Sequence, residues 1–89
     1  MTSATVLITN RLGLHARAAA KLVNLANQFC CDISVAKGPE KVEAKSILGL
    51  LLLAAAMGSE LTIECDGEDE EDAVAALVEL ISDRFGEGE

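Results

Sequence analysis

Hydrophobic residues in this chain recur with two different periods, and segments of the two kinds alternate along it. The clearest segment is 60–66. There Leu61, Ile63 and Cys65 point one way and Glu60, Thr62, Glu64 and Asp66 the other. Such alternation belongs to a strand with one buried and one wet face. Ala4 to Thr9 is a shorter β-branched strand, with Val6 and Ile8 opposite Thr5 and Thr9. Asp32 to Lys37 alternates too, with Ile33 and Val35 facing one way and Cys31 in phase with them. Gly38-Pro39-Glu40 then turns the chain into a strand over Lys41 to Ala44.

Between these strands the period becomes helical. From Ala16 to about Phe29, the residues Ala18, Leu22, Leu25 and Phe29 make one stripe, while Arg17, Lys21, Asn24 and Gln28 make the opposite one. Ser46 opens a short helix from Ile47 to about Leu53. A last helix is expected from about Asp69 to Phe85, with Val74, Leu77, Ile81 and Phe85 as its core stripe. The acids from Asp69 to Asp72 suit its positive end, Arg84 suits its last turn, and Gly86 is the expected stop.

The order β-α-β-β-α-β-α, with strands wet on one side, predicts an α+β fold. We expect a two-layer open-faced sandwich, a four-stranded mostly antiparallel sheet covered on one face by helices. A chain of 89 residues has room for one domain, here 1–89.

Charge narrows the functions open to such a domain. The net charge is −8, and nucleic-acid backbones demand the opposite sign. Aromatic content is 2%, which nearly excludes base-stacking platforms and aromatic cages. The charge is unevenly placed. Residues 1–45 hold six basic against three acidic side chains, a net of +3, while residues 46–89 set one arginine against twelve acids, a net of −11. The basic half contains the only histidine, His15. The N-terminus lacks a secretory signal pattern, and the longest apolar run, Ile47 to Met57, is 11 residues, too short to span a bilayer. With three cysteines, two of them adjacent, reduced thiols in the cytoplasm are expected.

His15 sits where a glycine-containing loop meets an amphipathic helix. The N–H groups of Ala16, Arg17 and Ala18 should lead out of that helix toward the ring, together with the positive end of its dipole. An anion attached to the ring would meet backbone donors. Arg17 adds a guanidinium able to grip such an anion in a fork. A phosphoryl group carried on the ring is the species that suits this arrangement.

The run Leu12-Gly13-Leu14-His15-Ala16-Arg17 resembles the active-site motif of the HPr family, the phosphocarriers of the phosphoenolpyruvate-dependent phosphotransferase system. The stretch Ala44-Lys45-Ser46-Ile47-Leu48-Gly49 resembles the family's serine-site motif. The resemblance covers essentially the whole chain. It implies that His15 receives a phosphoryl group on Nδ1 from phospho-enzyme I and passes it to a sugar-specific or nitrogen-branch enzyme II-type acceptor. Arg17 and the N–H groups of Ala16, Arg17 and Ala18 would stabilise the phosphoryl charge. The resemblance also implies regulation at Ser46 by a kinase and a phosphatase, and it calls for no cofactor and no metal. The family usually places proline after the arginine, where this chain has Ala18. Alanine should keep the helix, at the expense of how rigidly His15 is aimed.

The helix opened by Ser46 is apolar all round, so part of it should be exposed as a docking surface. Leu14, Ile47, Leu48 and Leu51 are the expected contacts, with Arg11, Arg17, Lys21 and Lys45 as a basic rim for an acidic partner. Cys31 and Cys65 are expected to be buried thiols. Two other readings remain: a regulatory module of the nitrogen-related branch, binding proteins according to its phosphorylation state, and an unrelated small ligand-binding domain.

Overall fold

The computed structural model describes residues 1–86, so the last three residues of the expected 1–89 domain lie outside the described residues. Strands β1 (Thr2–Leu7), β2 (Asp32–Lys37), β3 (Glu40–Glu43) and β4 (Glu60–Asp66) form one sheet in the order β1-β4-β2-β3. Every neighbouring pair is antiparallel. Helices α1 (Ala16–Ala26), α2 (Ile47–Leu52) and α3 (Glu70–Ser82) complete the α+β architecture.

Register explains why the strands occupy these residues. Val6 faces Leu61 across β1 and β4, while Ile33 faces Cys65 and Val35 faces Ile63 across β2 and β4. All six are buried. The opposite face carries Ser34 and the Lys41–Glu64 ion pair. Two strands are displaced from their sequence expectations. β1 begins at Thr2 and ends at Leu7, because Thr2 pairs with Cys65 and Leu7 with Glu60. Ile8 still bonds to the facing segment, through Ser59 O at 2.9 Å and the Gly58 N–H at 2.8 Å. β3 starts at Glu40, which pairs with Lys37 across the turn.

The helices cover one face. α3 packs on β1 and β4, and α1 lies against α2 and α3. α1 buries Ala18, Ala19, Leu22 and Ala26. It ends three residues earlier than its stripe suggests, because Gln28 and Phe29 tighten onto the carbonyls of Leu25 and Ala26. The Lys45 ammonium then holds Phe29 O at 2.9 Å and Cys31 O at 3.2 Å. α3 likewise stops at Ser82 and does not continue to Phe85. Arg84 and Phe85 adopt left-handed backbone, with φ of 56° and 54°. Such a conformation costs about 1–2 kcal/mol per residue. It lets the Phe85 ring turn back and become fully buried, worth about 3 kcal/mol. Lys21 Nζ donates to Phe85 O at 2.6 Å and fixes that return. No helix among the described residues is long and apolar enough to cross a membrane.

Candidate functional site

The loop carrying His15 is assembled from its own backbone and from the segment that follows α2. Asn10 closes it: the Gly13 N–H donates to Asn10 O at 3.2 Å, and Asn10 Nδ2 donates to Gly13 O at 2.8 Å. Gly13 has φ of 67°, a region that disfavours side chains. A Cβ there would lie 2.6 Å from Ala55 O and 2.9 Å from Ala56 Cα. Glycine is therefore required twice over, by conformation and by contact. The Leu14 N–H donates to Ala55 O at 2.8 Å, which docks the loop on the chain leaving α2.

His15 emerges from this loop as the N-cap of α1, with extended backbone and no capping hydrogen bond from its side chain. The helical ladder starts with the Ala19 N–H donating to His15 O at 2.8 Å. The N–H groups of Ala16, Arg17 and Ala18 thus precede the ladder, beside the histidine. The first turn of α1 contains no acidic residue. His15 is half-buried, the Arg17 side chain is exposed, and the Ala18 methyl is fully buried. Alanine at position 18 leaves the helix start intact, since α1 begins at Ala16. This end of α1 offers backbone donors, a dipole and, two residues after His15, an exposed arginine.

Ser46 caps α2. Its Oγ accepts from the Gly49 N–H at 3.1 Å, so the expected N-cap role is filled. Beyond it, Ile47, Leu48, Leu51 and Leu52 are 43%, 66%, 37% and 70% exposed, and only Leu50 of this helix is buried. Leu14 does not share that exposure. It is 5% exposed because its backbone is pinned to Ala55 and its side chain joins the core. The basic rim is also narrower than the sequence suggests. Lys45 is held on carbonyls beyond the far end of α1, and Lys21 is committed to Phe85 O. Arg11 and Arg17 are its exposed members. Cys31 and Cys65 are buried, and burial pushes the Cys31 thiol up to about 12.

Sequence reasoning missed three things. Leu52 is more exposed than any of the apolar residues singled out, and exposed Leu12 and Met57 flank the Gly13–Ala56 contact. Asn10, a polar residue in the stretch leading to His15, is fully buried. The signal was present, since Asn10 continues the inward phase of Val6 and Ile8.

The structure is that of a small α+β protein, a one-sided antiparallel sheet with a histidine at the N-cap of its first helix and an arginine in that helix's first turn. The family described as "PTS HPr component phosphorylation site" matches residues 2–83. The phosphocarrier protein HPr of Cupriavidus necator is 52% identical over 82 residues, 92% of each chain. The phosphocarrier protein NPr of Shewanella violacea is 44% identical over 82 residues, 92% of this chain and 90% of that one. The crystal structure of HPr-C-His from Thermoanaerobacter tengcongensis superposes with a TM-score of 0.94 at 45% identity, covering 98% of both chains. The chain belongs to the HPr family, the phosphocarriers of the phosphotransferase system.

Proposed function

We propose that His15 accepts a phosphoryl group from phospho-enzyme I and passes it to a downstream acceptor. The observation that carries this reading is the uncapped start of α1: a histidine at the N-cap whose side chain makes no capping bond, with Arg17 exposed beside it. In the forward step the lone pair of His15 Nδ1 attacks phosphorus. The bond from phosphorus to the histidine of enzyme I breaks, and its electron pair returns to that ring. Negative charge on the transferring oxygens is met by Arg17 and by the N–H groups of Ala16, Arg17 and Ala18. No nucleotide, metal or other cofactor is needed for this exchange.

Docking falls to Ile47, Leu48 and Leu51, joined by Leu52, with Arg11 and Arg17 facing an acidic partner. Phosphate placed on Ser46 by a kinase would add about two negative charges beside that apolar surface and weaken such docking. The whole 1–89 span acts as one domain, in the cytoplasm.

The similarity to an NPr protein keeps a regulatory role open as the second reading. One experiment separates the two. The protein is labelled with enzyme I and radiolabelled phosphoenolpyruvate, re-isolated, and offered to a sugar-specific enzyme II component. Acid-labile, alkali-stable phosphate that moves onward supports the relay. Label that forms but stays on the protein favours the regulatory module. Absence of label on the native protein rejects phosphate acceptance altogether.

A further inference from the structure

Asn10 is the one buried polar side chain among the described residues, and it stands five residues before His15. A polar side chain out of water needs partners, and one that is fully buried has little room to change them. Asn10 uses its amide on the loop that carries the histidine. Its Nδ2 donates to Gly13 O at 2.8 Å. The same carbonyl accepts the His15 N–H at 3.0 Å. A carbonyl oxygen has two lone pairs, so this one oxygen joins a fixed amide on one side to the backbone of His15 on the other. Asn10 also holds the loop from the main chain, where its carbonyl accepts the Gly13 N–H at 3.2 Å.

This grip matters because it holds the carbonyl side of the peptide that joins Gly13 to Leu14, whose N–H side is held by the donation from Leu14 to Ala55 O at 2.8 Å. Gly13 is the most permissive residue in the loop and sits at φ 67°. The direction of the Gly13 carbonyl sets where the His15 N–H lies, and hence how the ring is presented to an incoming phosphorus.

We propose that Asn10 is a positioning residue for phosphotransfer, aiming His15 through the shared Gly13 carbonyl. The inference rests on the reading of His15 as phosphoryl acceptor. Its step is the transfer already described, with no further reactant.

The test compares Asn10→Ala and Asn10→Leu with the native protein. Leucine keeps the branched outline of asparagine and removes the donor, whereas alanine removes both, so packing and hydrogen bonding are separated. Thermal melts first establish that each variant is folded at the assay temperature. Phosphoryl transfer from enzyme I is then resolved into kcat and KM. Misplacement of a reacting group by a fraction of an ångström to an ångström costs about ten- to a hundredfold in rate. The expected result is a kcat lowered about tenfold or more in both folded variants, with KM within about twofold, since the α2 surface is untouched. An unchanged kcat in a folded variant, or a loss confined to KM, overturns the proposal. A native-protein measurement covers the case in which the variants do not fold. The Asn10 side-chain amide resonances and the His15 backbone amide should shift together on phosphorylation, and an unmoved Asn10 amide overturns the proposal. If the native protein takes up no phosphate, it is the reading of His15 that fails, and the two failures are thereby distinct.

Discussion

The starts of α1 and α3 are the same physical object treated in opposite ways. Each exposes backbone donors at the positive end of a dipole. α3 saturates its start with carboxylates. Glu70, Glu71 and Asp72 fill its first turn, and Glu70 Oε1 accepts the Gly67 N–H at 3.1 Å. Asp69, its N-cap, turns its carboxylate outward and ties down the N–H groups of Cys30 and Cys31 at 2.8 Å and 3.0 Å. Neither helix has a side-chain cap hydrogen bond at its N-cap, but α1 has no acid in its first turn. At α3 the dipole is spent on stability and on holding the β2 end of the sheet. At α1 the first turn holds the same attraction with no acid of its own. The difference keeps an acidic chain's carboxylates away from the start of α1: three stand in the first turn of α3 and none in that of α1.

The comparison can be broken from either side. The largest expected effect is at Arg17. Arg17→Ala should slow phosphoryl transfer about a hundredfold with little change in melting temperature, read by rapid-quench kinetics. An unaltered rate would mean that the helix start alone bears the charge. Next comes Gly13→Ala, which forces a side chain into the Ala55 carbonyl and keeps a left-handed φ. It should cost about 2 kcal/mol or more in denaturant unfolding and slow transfer as well. Ala16→Asp makes α1 resemble α3. It should stabilise the fold by about 0.5 kcal/mol while slowing phosphate uptake about tenfold, because the new carboxylate repels the phosphoryl oxygens. A variant that gains stability and keeps its rate would contradict the idea that this terminus is reserved.

The smallest effect lies at α3 and is read by pH. Hydrogen bonds from the Thr2 hydroxyl and the Gly67 N–H hold Glu70 down at about 2. A glutamate in an unfolded chain titrates near about 4.3. The folded value is the lower one, so this contribution is present above the unfolded value and is lost as pH falls toward 2. Unfolding free energy should therefore decline from about pH 5 to about pH 2. In Glu70→Gln that part of the decline should flatten, and an identical pH profile would remove Glu70 as its source.

Most of the architecture was legible because periods of two and 3.6 are local properties. Leu61, Ile63 and Cys65 alternate whatever else happens, and the strand around them is where the pattern puts it. What the pattern could not show was set from far away in sequence. β1 is displaced because Thr2 finds Cys65. α1 is cut short where Lys45 takes over the carbonyls of Phe29 and Cys31. Phe85 leaves the helix because its ring is better buried by turning back under Lys21. At the site, His15, Arg17 and Ser46 were legible as residue types next to helix starts. Leu14 misled because its neighbours on the apolar surface are exposed while its own backbone is pinned to Ala55.

The central claim is that α1 forgoes a stabilising cap so that His15 can carry phosphate. It is tested most directly by His15→Ser, measured for stability and for phosphate content after exposure to enzyme I and phosphoenolpyruvate. Serine is a strong N-cap, so the variant should be about 1 kcal/mol more stable than the native protein. It should hold no acid-labile phosphate, while the native protein holds it and releases it in acid. A variant that still takes up acid-labile phosphate, or one that is less stable than the native protein, would contradict the account.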